Sequence, residues 1–375
     1  MRIREGGNVE INGNSATSLK IRDMDAEQYG DFKEDFIAFL LSLSDIFMEK
    51  TGYPIWNRED LVFSGDIFSG STRAFFQKSR EEFTNKKSKV GDFDVQIPNN
   101  LYNEVHQFVQ EIIGMEIGDF KIYGNKFAAG QEHLLIQANK NYPEVGAEFI
   151  QVDLEYTDFV DNAPTEFAKF AHYSSWEDLE NNIKGVFVKI LLRSLISTID
   201  EREGIIIVSQ KTGKPLASAN KSDIKYFMGF STDKGVRTKY APYIDSETNK
   251  IKMIDGKECW YEKSTSDSDY TQDLGAIYHL IFNEDPTPTE KRDMFSYVRT
   301  LRELLGKLPK ERIEKVFKLF CAQIWTKGRG ADINPNNNEE DKEVKLIAYN
   351  KFLEFFPWLK KFDGEIQEYI EKYYS

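Results

Sequence analysis

The feature that most constrains this chain is a pair of short stretches in which polar and apolar residues alternate strictly. The first reads Asp92-Phe93-Asp94-Val95-Gln96-Ile97. The second reads Ile150-Gln151-Val152-Asp153-Leu154-Glu155-Tyr156. Side chains on a strand point to opposite faces with period two. Asp92 and Asp94 therefore share one face, while Phe93, Val95 and Ile97 share the other. Asp153 and Glu155 likewise oppose Val152, Leu154 and Tyr156. Carboxylates in a half-buried strand are costly unless something pairs with them. Two strands of this kind point to a shared divalent cation.

Upstream, Leu61-Val62-Phe63-Ser64-Gly65-Asp66-Ile67-Phe68-Ser69-Gly70-Ser71-Thr72-Arg73 runs from an apolar, strand-like piece into glycines and small hydroxyls. Gly65, Gly70 and Ser71 let the backbone approach a ligand and turn into a helix whose first N–H groups can face an anion. Taken alone, Asp92 and Asp94 read as a strand-edge pair facing solvent. With Gly70-Ser71 before them and Asp153 after, a metal site is the better reading.

The ordered set Gly70-Ser71, Asp92-Phe93-Asp94 and Asp153 resembles the nucleotidyltransferase superfamily with the DNA polymerase β-like catalytic fold. The resemblance covers about Leu61 to Tyr156. It implies transfer of a nucleoside monophosphate from an NTP to an acceptor hydroxyl, with release of pyrophosphate. It implies Mg²⁺ or Mn²⁺ held by Asp92, Asp94 and Asp153, and triphosphate contacts from Gly70, Ser71 and Arg73. Asp153 would also take the proton of the attacking hydroxyl. The acceptor is a nucleic-acid 3′ end (RNA or tRNA), a protein side chain or a small molecule. The chain also resembles phage-encoded members of the superfamily, which implies a host cytoplasm. Two features depart from the family pattern: the spacer from Ser71 to Asp92 is long, and the gap from Asp94 to Asp153 must hold inserted structure. The reading from another class is a non-catalytic nucleotide-binding or assembly module on the same scaffold; three converging carboxylates count against it.

The remaining candidates have plainer readings. Glu155 is a supporting or surface residue and Asp66 a turn or cap. Lys78, Arg80, Lys86, Lys87 and Lys89 read first as a solvated loop, and second as a lid or polynucleotide contact near the triphosphate. Lys221, Lys225, Lys234, Arg237 and Lys239 interleave with Tyr226, Phe227 and Tyr240; this is an ordinary half-buried sheet before it is a base-stacking surface. Of the 4 histidines, His133 alone lies in a strand between the carboxylate motifs, and no HExxH pair occurs. Gly65 to Thr72 echoes a P-loop but lacks its lysine.

Composition bounds the rest. The chain has 375 residues and a formal charge of −13, which disfavours broad binding to nucleic acid and favours a compact acceptor. Its 2 cysteines form no CxxC pair, so a reducing, cytoplasmic setting is expected. The N-terminal residues lack an apolar leader segment, and no run is long enough to span a membrane.

The expected fold class is α+β: a mixed-sheet nucleotidyltransferase-like catalytic domain with its N-terminal helix (1–160), a helical segment packed on it (161–203), a small β-rich insertion (204–265) and a helical C-terminal region (266–375). Asp25–Lys50 reads as a helix with a Phe36, Leu40, Leu43, Phe47 stripe, stopped by Gly52. Asn100 begins a helix ended by Gly114. Phe120–Tyr123 and Leu134–Gln137 read as strands. Ser175 with Asp178 reads as the cap of one long helix reaching Ile199. Ile333–Glu340 reads as a solvated loop.

Overall fold

The computed structural model describes residues 10–128, 130–138, 149–266, 269–325 and 339–374. The chain divides into two compact units, Met1–Val186 with Lys327–Asn350, and Phe187–Thr326 with Lys351–Tyr373. The architecture mixes helices with sheets of both parallel and antiparallel pairs, an α+β arrangement.

The first unit is built on helix α1, Ala26–Thr51. Asp25 caps it by accepting from the Gln28 N–H at 2.8 Å, and Gln28 Oε1 accepts from the Asp25 N–H at 3.0 Å. Gly52 ends it at φ +89°, a left-handed conformation that glycine adopts at no steric cost. Its buried stripe holds Phe32, Phe36, Phe39, Leu40, Leu43 and Phe47, the face expected from the 3.6-residue period.

That stripe meets a five-stranded sheet of β1 (Asp92–Pro98), β2 (Glu116–Ile117), β3 (Phe120–Ala128), β4 (Gln131–Ala138) and β5 (Ile150–Thr157), in the spatial order β1-β5-β4-β3-β2. β1 and β5 run parallel and the other pairs antiparallel. The last strand in sequence thus inserts beside the first. Phe93 from β1 packs 4.8 Å from Phe36, and Phe120 from β3 packs 5.4 Å from Phe39.

Several expectations need correction. Leu61–Phe63 lies in a helical turn, Asp60–Ser64, closed by Gly65 at φ +62°. Leu61 is buried and Val62 exposed, and Gly65 in the left-handed conformation ends the turn before the chain reaches β1. The short edge contact on β1 comes one step later: Gln96 N–H donates to the Ile67 carbonyl at 2.7 Å and Ser69 N–H to that of Asp94 at 3.1 Å. The helix expected to begin at Asn100 is preceded by a 3₁₀ turn, Asn99–Leu101, and runs as α4, Tyr102–Glu111.

Ser175 does cap a helix, with its Oγ accepting from the Asp178 N–H at 3.1 Å, but that helix is only Trp176–Glu180. Asn182 at φ +55° breaks the chain before a second helix, Gly185–Ser197. Asparagine tolerates this left-handed conformation, and two successive asparagines outweigh the apolar period. The boundary between the two units falls at Val186, inside the segment expected to span 161–203. The second helix accordingly carries its stripe within the second unit. There Gln323 Nε2 donates to Ser194 Oγ at 3.1 Å, and Phe187 and Phe320 rings lie 6.5 Å apart. Leu191, within the segment expected to pack on the catalytic domain, is buried in the second unit.

The second unit also contains the short strands expected over 204–265, among them Met228–Ser231, Gly235–Thr238 and Lys257–Glu262. Helices follow, Leu274–Phe282 and Lys310–Trp325. The expected loop at Ile333–Glu340 lies outside the described residues up to 338, and a helix begins at Glu339. Among the described residues no helix is long and apolar enough to cross a membrane.

Candidate functional site

The site is generated by strand register. Asp94 on β1 stands opposite Asp153 on β5, which stands opposite His133 on β4. Paired residues on neighbouring strands point to the same face. Asp92, Asp94 and Asp153 each offer a carboxylate oxygen, and the three oxygens lie within 4.8 Å of one another.

Their surroundings differ. Asp153 is buried and held: Gln151 Nε2 donates to Oδ1 at 2.9 Å and to Oδ2 at 3.1 Å, and His133 Nδ1 lies 2.7 Å from Oδ1. His133 Nε2 lies 3.2 Å from the Ala128 carbonyl. Both ring nitrogens thus face acceptors, which suits the imidazolium form. Burial works against that form, but the hydrogen bond and charge of Asp153 outweigh it and raise the His133 pKa. Asp92 and Asp94 are half-buried, and among the described residues no side-chain hydrogen bond reaches either carboxylate. Burial, and next the Asp153 charge, push the Asp92 carboxyl up to about 6. Burial and the Asp92 charge push Asp94 well above the usual carboxylate range. Like charges crowded into partly dry surroundings resist ionisation together.

Helix α2, Gly70–Gln77, brings the small residues to this cluster. A Cβ at position 70 would collide with Asp94 Oδ2, and the backbone there has φ +53°. Only glycine meets both conditions without strain. Thr72 Oγ1 accepts from the Asp94 N–H at 2.9 Å, tying α2 to β1. Ser69 Oγ donates to Glu155 Oε2, and Gln131 Nε2 donates to Glu155 Oε1 at 3.0 Å. Glu155 thus anchors the turn into α2, a supporting role.

Each of the three residues expected to contact a triphosphate has a partner within the protein. The Gly70 N–H is spent on the His172 carbonyl at 2.8 Å, because the chain after β5 returns alongside the turn. Gly70 serves the site by lacking a side chain. Ser71 Oγ accepts from Lys87 Nζ at 2.7 Å. Arg73 donates to Asp66 Oδ1 at 2.7 Å and lies over the Tyr173 ring at 4.8 Å; Asp66 also pairs with Lys169 at 2.9 Å. Arg73 is therefore committed to a carboxylate outside the triad. Asp66, read from sequence as a turn or cap, is a charge partner.

Sequence reasoning gave no specific role to Gln151 or Lys87. Gln151 shares the Asp153 face by period two, so its position was readable. Lys87 sat inside a run of basic residues with nothing to set it apart.

The donor set fits a hard divalent cation: three carboxylates converge, and among the described residues two of them take no hydrogen bond. Such ions take oxygen ligands and complete their shells with water or phosphate oxygens. Against known proteins, no family model, no curated protein and no solved structure matches this chain.

Proposed function

We propose that the chain is a metal-dependent nucleotidyltransferase that moves a nucleoside monophosphate from an NTP to an acceptor hydroxyl. One observation carries this reading: the parallel register of β1 and β5 sets Asp94 beside Asp153, with Gly70 closed against Asp94. A merely structural sheet has no need for three like charges on one face.

Asp92, Asp94 and Asp153 would hold Mg²⁺ or Mn²⁺, which supplies charge compensation on phosphate oxygens and activates an attacking hydroxyl. His133 and Gln151 fix the Asp153 carboxylate and occupy its Oδ1. Among the described residues Oδ2 takes only the longer Gln151 contact, so it is the Asp153 oxygen with room for a further partner, the metal or the hydroxyl proton. Ser71, at the start of α2 beside the Asp94 carboxylate, would receive phosphate oxygens in this reading. The chain's net charge of −13 favours a compact acceptor over a long duplex.

The test is incubation with each labelled NTP, Mg²⁺ or Mn²⁺, and separate RNA, tRNA, DNA, protein and small-molecule acceptors. Label transferred by the wild type and lost in Asp94→Asn is the expected result. A wild type that binds NTP but labels no acceptor would sink the enzyme reading and leave a nucleotide-binding module.

A further inference from the structure

Lys87 lies in the long spacer that departs from the superfamily pattern, just after the short helix α3, Arg80–Thr84. Its backbone is fixed: the N–H groups of Lys86 and Lys87 donate to the Phe83 carbonyl at 3.0 and 2.8 Å. Phe83 is fully buried and packs edge-on against Phe75 at 5.6 Å. The side chain is half-buried and turns toward α2, where Nζ donates to Ser71 Oγ. Ser71 directly follows Gly70, which abuts Asp94 Oδ2, so the Lys87 charge lies near enough to Asp92 and Asp94 to favour their ionised forms. Burial lowers its own pKa, the two aspartates pull it back up, and the exposed Lys184 adds to the lowering.

A lysine in this position does electrostatically what a metal ion would do. Its ammonium is a compact charge on a flexible stem, so it can neutralise the aspartates and still withdraw. A dication bound by the same carboxylates would repel it at short range.

We propose that Lys87, held on Ser71 beside Gly70 and Asp94, is the resident counter-cation of the Asp92–Asp94–Asp153 site, and that a divalent cation bound there drives its ammonium off Ser71 toward incoming phosphate. This inference rests on the metal-site reading above. It assigns to the basic spacer a part that neither a solvated loop nor a surface lid would have. The anchored backbone confines the movement to the side chain.

The test uses the metal alone. Free Mn²⁺ is measured by electron paramagnetic resonance during titration of wild type, Lys87→Met, Lys87→Gln and Lys87→Arg, without nucleotide. Lys87→Met and Lys87→Gln are expected to bind Mn²⁺ about tenfold tighter than wild type, and Lys87→Arg to stay near it. In the presence of Mn²⁺, inorganic tripolyphosphate is expected to bind about tenfold more weakly to Lys87→Met. Amine labelling of the wild type, read by mass spectrometry, is expected to rise at Lys87 when Mn²⁺ is added; this arm holds even if the variants fail to fold. Equal Mn²⁺ affinities, or Lys87 labelling unchanged by Mn²⁺, would overturn the inference while leaving the metal site standing. No Mn²⁺ binding to any form would remove the metal site and this inference together. Mn²⁺ binding without nucleotidyl transfer would remove only the enzyme reading.

Discussion

The two faces of the central sheet come from the same strands and obey opposite rules. On one face Phe93, Val95, Ile97, Leu134, Ile136, Val152 and Leu154 are buried against α1 and its neighbours. The other carries Asp92, Asp94, Gln96, His133, Gln151, Asp153 and Glu155. Each face also holds a costly carboxylate, and the contrast between these two is instructive. Glu132, on the apolar face, is fully buried and fully partnered. His106 Nδ1 lies at 2.6 Å, Asn125 Nδ2 donates at 2.8 Å and the Tyr156 hydroxyl donates at 3.3 Å. Asp94 is half-buried and takes no side-chain hydrogen bond among the described residues. A carboxylate satisfied from within is a structural element. One left unsatisfied, with two neighbours of the same charge, stores free energy that an external cation can release.

The comparison can be broken in four places. The largest effect is expected at Asp94. Asp94→Asn removes the charge and keeps the shape, so transfer should fall by about a thousandfold or more. Its melting temperature without metal should hold or rise, since repulsion is relieved; thermal melts beside label incorporation read both. A melt that drops with activity would make Asp94 a structural residue like Glu132.

On the apolar face, Phe93→Ala should cost about 3–5 kcal/mol, because it opens a cavity among Phe32, Phe36 and Phe75. Urea unfolding measures this, and a loss below about 1 kcal/mol would mean the core collapses to fill the space. Glu132→Gln should come next, at about 1–3 kcal/mol, since one oxygen acceptor becomes a donor facing donors. Mn²⁺ affinity should be unchanged in Glu132→Gln; a weakened site would show that the faces are coupled.

The smallest effect is a pH dependence of the metal-free protein. In the unfolded chain Asp92 ionises near an ordinary value of about 3.9. In the fold its carboxyl is pushed up to about 6. Between those values the folded state holds the extra proton, so this group's contribution is present at low pH and lost as pH rises through about 6. Melting temperature in chelator should therefore fall by a few degrees between about pH 5 and pH 7.5, and Mn²⁺ should restore it at the upper end. Asp92→Asn should flatten that dependence. A wild-type melt indifferent to both pH and Mn²⁺ would mean the acidic face carries no strain.

Local periods were legible throughout. The α1 stripe, its Asp25 cap and Gly52 stop, the faces of β1 and β5 and the β3–β4 pair all follow from residue spacing, because each depends on neighbours a few positions away. The two misread segments show where that reasoning ends. Leu61–Phe63 is apolar enough for a strand, but the chain there closes a helical turn that Gly65 ends. The stripe from Ile183 to Ile199 is helical enough to join Ser175, but Asn181-Asn182 interrupts it.

By itself the sequence determined which side chains share a face: Asp92 with Asp94, Asp153 with Glu155, each opposite an apolar set. That follows from the period of a strand and needs no partner. Only the tertiary structure decided that β5 inserts beside β1, which brings Asp153 to Asp94. Only it decided that Gly70 closes on that carboxylate and that Lys87 reaches Ser71. Strand order and side-chain direction across a long spacer are set by how the whole core packs, and no local spacing encodes that choice.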